Sequence, residues 1–63
     1  MTPNTLHARL TYAEVDPQYA PDCRRVISTE RQSLGLALQS GDNSRIKKAA
    51  AEAERVARMW GVL

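Results

Sequence analysis

Apolar residues recur along this chain at helical spacing in two long segments. In the second, Ile46, Ala49, Ala50, Ala53, Val56, Ala57 and Trp60 fall within one arc of about 120° at 100° per residue, and no charge interrupts it. Read as heptads, Ile46, Ala53 and Trp60 take position a, while Ala49, Val56 and Leu63 take d. Asp42, Asn43 and Ser44 are the N-cap candidates, and Gly61 supplies the stop. The pattern predicts a helix over 43–60. In the first segment Tyr19, Ala20, Cys23, Val26, Ile27, Leu34, Ala37 and Leu38 form a similar arc, with Glu30 near its middle. This predicts a helix over 17–39, starting either at Pro17, with Asp16 as N-cap, or at Pro21. Pro21 disfavours helix at Ala20, so a kink or a separate turn is expected at the entry. Gly35 is a mild weakness inside that helix. Ser40-Gly41-Asp42-Asn43 reads as a tight reversal between the two.

These elements predict an all-α fold: an antiparallel helical hairpin, 17–39 and 43–60, within a single small domain spanning 1–63. The alanine-rich stripe of the second helix lets the two backbones approach closely. Ile46 is expected to face Leu34 and Leu38 near the turn, and Trp60 to pack beside Tyr19 and Cys23. Residues 1–16 form an N-terminal arm whose state is open. Leu6, Ala8, Leu10 and Tyr12 alternate with His7, Arg9 and Thr11, as in a strand. The same letters fit a short helix capped by Thr2-Pro3 or Thr5, with Leu6, Leu10 and Ala13 inward. A lone strand would have no partner within the chain, which favours the helix.

Composition adds a constraint on assembly. Of 63 residues nine are alanine, none is phenylalanine, and Leu, Ile and Val together number only 12. So thin a supply of large apolar side chains suggests that two hairpins share a core as a homodimeric helical bundle. Glu30 would then be either partly open to solvent or a polar element that sets register or partner choice. The seam set for core or dimer is Cys23, Ile27, Glu30, Leu34, Ile46, Ala53, Val56 and Trp60. A single cysteine excludes an intramolecular disulfide and a thiolate metal cage, pointing to a reducing compartment. With no apolar run of 18 residues and no signal-peptide pattern at the start, a cytoplasmic protein without a membrane span is expected.

Candidate chemistry is sparse. His7 is the sole histidine, and Cys23, the one conceivable nucleophile, lies on an apolar stripe. No metal-ligand spacing, phosphate-binding glycine loop or carboxylate pair stands out, so no catalytic residue, cofactor or metal is expected and the chain reads as a non-enzyme. Arg45, Lys47 and Lys48 crowd the first turn of the second helix, where positive charge opposes the helix dipole. Leu36 points away from both seams. With Arg24 and Arg31 these residues form the candidate partner-binding set: Arg24, Arg31, Leu36, Arg45, Lys47 and Lys48.

The expected function is a protein–protein interaction module that binds and modulates, most simply inhibits, a cytosolic partner such as a host regulator, in the manner of phage or plasmid accessory proteins. The alternative is a dimeric nucleic-acid-binding regulator. In size and hairpin architecture the chain resembles the Rop family of plasmid RNA-binding regulators. With residues 6–12 as a paired strand it is similar instead to ribbon-helix-helix repressors. That resemblance implies His7, Arg9 and Thr11 facing the major groove.

Overall fold

The computed structural model describes residues 1–63 and contains three helices and no strand: α1 (Pro3–Ala13), α2 (Pro21–Ser40) and α3 (Asn43–Met59). All three pack against one another around a single core. The open question about the N-terminal arm is resolved as helix. Thr2 is the N-cap, its Oγ1 accepting from the Thr5 amide at 3.1 Å, and Pro3 fills the first position, where no amide donor is needed. Leu6, Leu10 and Ala13 recur at helical spacing and are buried, whereas Tyr12, which a strand would place on the same face as Leu10, is exposed.

The entry to α2 takes the later of the two expected starts, Pro21, with a separate turn before it. Asp16 caps only a turn: its Oδ1 accepts from the Gln18 amide at 2.9 Å and its carbonyl from the Tyr19 amide at 3.2 Å. Pro21 forces Ala20 into an extended conformation with ψ of 152°, so a helix begun at Pro17 cannot pass through it. The helix therefore starts at Pro21. It stops at Gly41, which is left-handed, and Asp42 caps α3 at once, its Oδ1 accepting from the Ser44 and Arg45 amides at 2.9 and 3.3 Å.

The far end of α3 departs from the heptad reading. Trp60, expected in the seam, is the C-cap and 42% exposed. Gly61 takes a φ of +76°, and beyond it the Val62 amide donates to the Ala57 carbonyl at 2.8 Å while the Gly61 amide donates to that of Arg58 at 3.2 Å. This pair of bonds is a Schellman closure, which returns the next apolar residue to the helix it ends. Val62 occupies the buried place the heptad assigned to Trp60. Alanine at Trp60 should therefore change stability by no more than about 0.5 kcal/mol, as for an ordinary surface site. Alanine at Val62 should cost more. Urea midpoints of the two variants test the order.

The core draws on all three helices and the tail: Leu6, Leu10 and Ala13, then Cys23, Ile27 and Leu34, then Ala53 and Ala57, and finally Val62. It contains no buried polar or charged residue. The face of α2 and α3 that the sequence leaves uncovered is closed by α1 of the same chain. Gly35 leaves room for the His7 imidazole in that closure. A Cβ there would lie 3.2 Å from His7 Nε2 on α1, tighter than ordinary contact. Gly35→Ala should gain up to about 1 kcal/mol from helix propensity when His7 is also alanine, and less when the imidazole is present. Equal gains in both backgrounds, measured by denaturant unfolding, would remove the steric account.

Candidate functional site

The structure divides the candidate partner-binding residues into three places. Leu36, Arg45 and Lys48 come together along a shallow, open groove between α2 and α3, of about 770 Å³. Its floor is Ala37, Ala49 and Ala51; Ser33 and Leu36 stand on the α2 side, and Arg45, Lys48, Glu52 and Arg55 on the α3 side. The small alanines, spaced for close helix contact, leave the depression. Leu36 is the large apolar residue beside it and is 69% exposed.

Arg24 and Arg31 do not join this site. At 100° per residue they lie about 120–140° round α2 from Leu36. Arg31 Nε sits 2.7 Å from Glu14 Oε1 at the end of α1, off the line of its N–H, and both side chains are largely covered. Arg31 thus ties α1 to α2 instead of presenting a free charge. Arg24 is half-buried, its Nε enclosed without an acceptor. Lys47 points elsewhere, bordering a smaller depression with Pro3 and Ile46. Ile46 is accordingly half-buried beside the start of α1. Of the other expected seam residues, Cys23, Ile27, Leu34, Ala53 and Val56 are buried, and Glu30 is half-buried.

Two charged residues of the groove went unassigned from sequence, Glu52 and Arg55. They form a two-point pair, with Arg55 Nη2 2.6 Å from Glu52 Oε1 and Nε 3.2 Å from Oε2. That pairing holds the Glu52 carboxyl below its ordinary range. Arg55 follows Lys48 by seven positions and Arg45 by ten, so helical spacing alone places the three on one face. By contrast Arg45 and Lys48 have no ion-pair partner in the structure.

Glu30 does not line the groove but lies near enough to Glu52 and Arg55 to feel both charges. Its carboxyl is pushed above its ordinary value, first by desolvation and then by the Glu52 charge, with Arg55 pulling the other way. Between the ordinary 4.5 and the raised native value, the folded chain binds more proton at Glu30 than the unfolded chain does. Stability from this group therefore falls as the pH rises through that window. Glu52 works in the opposite sense just below 4.5, so the difference between wild type and Glu30→Gln reports Glu30 together with its coupling to Glu52 and Arg55. At pH 7 Glu30→Gln is expected to be the more stable by up to about 0.5 kcal/mol, a gap that closes near pH 3.5. Urea midpoints at both pH values check it.

Cys23 and His7 cannot serve as a nucleophile and base. Cys23 is buried, and His7 lies over Gly35, about 18 Å farther along α2. No group of three His, Cys, Asp or Glu side chains is placed to hold a metal ion, and no helix is long and apolar enough to cross a membrane. The molecule is thus a small three-helix bundle presenting a basic-rimmed apolar groove. Set against protein-family models, curated proteins and solved structures, the chain matches none of them.

Proposed function

We propose that this chain is a protein–protein interaction module, in which α2 and α3 act as an antiparallel helical hairpin braced by α1, and that it binds a cytosolic partner protein and modulates it, most simply by occluding a functional surface. One observation carries the reading: an exposed leucine stands over an apolar groove beside two cations that pair with nothing in their own chain. Interfaces concentrate their energy in an apolar anchor ringed by polar groups, and Leu36 with its rim has that composition. Arg45, in the first turn of α3, also opposes its dipole, a cost that stability alone does not explain. A phage or plasmid accessory protein acting on a host regulator fits this reading.

The nucleic-acid alternative has less support. Ribbon pairing needs residues 6–12 extended, and they are turns of α1. The cations border an apolar floor, whereas phosphate recognition needs charge and hydrogen-bond donors alone. With α1 covering one face of α2 and α3, a homodimer would have to use the groove face. There, a second copy offers no helix with more acidic than basic residues to meet Arg45 and Lys48.

The test is affinity capture from cytosolic extract on the wild-type chain and on a Leu36→Asp, Lys48→Glu variant, with structured RNA and duplex DNA as competitors. A protein kept by the first and lost by the second supports the reading. Retention by both, or displacement by nucleic acid, defeats it. Sedimentation of the free chain decides the dimer.

A further inference from the structure

Charge narrows what the groove can hold. Arg45 and Lys48 lie at the end nearest the α2–α3 turn, one helical turn apart and both without a carboxylate partner. Farther along, Arg55 is already satisfied by Glu52. The unmatched charge is therefore positive and confined to one end, beside Leu36. The span from Arg45 to Arg55 is about 15 Å at 1.5 Å per residue, the length of three helical turns. No helix of this chain carries more acidic than basic residues, so a second copy has no complementary element to lay there.

Building on the interaction reading above, we infer that the groove seats an acidic amphipathic helix of the partner protein. Apolar side chains on one face of that helix, at i and i+3 or i+4, lie over Leu36 and the alanine floor. Carboxylates on the flank of the same turn meet Arg45 and Lys48. This is helix-in-groove recognition, in which apolar anchors supply affinity and the charges fix register and polarity. The far end, where Glu52 offsets Arg55 and Glu30 lies near both, tolerates a neutral or basic residue.

The experiment selects from a displayed library of helical peptides of about 14 residues, long enough to overreach a three-turn groove. Wild-type protein is the target, and retained peptides are then synthesised and titrated. The expected peptides carry an excess of Asp and Glu beside an i, i+3 or i, i+4 apolar pair. Their affinity should fall at least about tenfold with Leu36→Asp, and equally with Arg45→Glu combined with Lys48→Glu. Lys47→Glu, on the other side of α3, should change it less than about threefold. All these positions are exposed, and far-UV circular dichroism confirms that each variant stays helical. Selection of neutral or basic peptides, failure to select any, or an equal loss with Lys47→Glu overturns the inference. So does a 20-base-pair duplex that binds the same residues more tightly than the acidic peptides. Acidic peptides at Leu36 with no cellular protein captured there would defeat the interaction reading while the groove's preference stood. A cellular partner held at another face would do the reverse.

Discussion

Replacing Ile27 with alanine is expected to lower the unfolding free energy by about 2–5 kcal/mol. A chain of this length has only about 3–9 kcal/mol in hand at ordinary stability per residue, so the variant should lose a large share of its stability. Three large side chains are fully enclosed here, Leu10, Ile27 and Leu34, and much of the rest of the core is alanine. Alanine neighbours cannot reach into the space that a lost isoleucine leaves. The site therefore collapses poorly, which places the cost in the upper part of the range. On the same helix, Leu36→Ala removes a side chain of similar size from an exposed position and should shift stability by no more than about 0.5 kcal/mol. Urea titrations followed by circular dichroism measure both. Equal losses at the two positions would mean that the core is not where the structure puts it.

How far the sequence discloses this fold depends on whether the deciding contact is local. Asp42 as cap, Gly41 as stop and the alanine stripe of α3 are signals contained within a few residues, and the structure uses each of them. The helix start at Pro21 was legible too, because the restriction on Ala20 is local; Asp16-Pro17 competed with it and won only a turn. Trp60 misled because heptad arithmetic continues past a residue where the chain does not. The glycine followed by an apolar residue at 61 and 62 carried the contrary signal, a helix that closes and folds back.

Less was legible where two distant elements meet. The sequence marked Leu36, Arg45 and Lys48 as residues that no seam uses, and the groove gathers them. Sequence alone sets Arg31 beside them as an extension of the basic surface, yet Arg31 faces Glu14 because α1 docks on that flank of α2. Nothing within residues 17–39 says which flank α1 will take. The same docking turns Gly35 from a weak point of the helix into the place where His7 can lie. Arg55 carries no local signal that sets it apart from the other exposed charges of α3. Only the depression left by the packed alanines makes it one wall of a groove.

Replacing Leu10 with alanine should also cost about 2–5 kcal/mol, and its meaning differs from that of Ile27. Leu10 belongs to α1, the element that covers α2 and α3, and it is fully enclosed there. If α1 completes the core within one chain, the wild-type midpoint is independent of protein concentration over about a hundredfold range. Leu10→Ala then lowers it by the same amount throughout. If the second half of the core came from another copy, dilution would destabilise the wild type and the effect of Leu10→Ala would vary with concentration. Tyr12→Ala is the companion measurement. A strand would align Leu10 with Tyr12 on one buried face, and both substitutions would then be severe. In α1 they are two positions apart and Tyr12 is exposed, so its loss should stay within about 0.5 kcal/mol. A severe Leu10→Ala beside a silent Tyr12→Ala, at every concentration, is the outcome that only an intrachain helix produces.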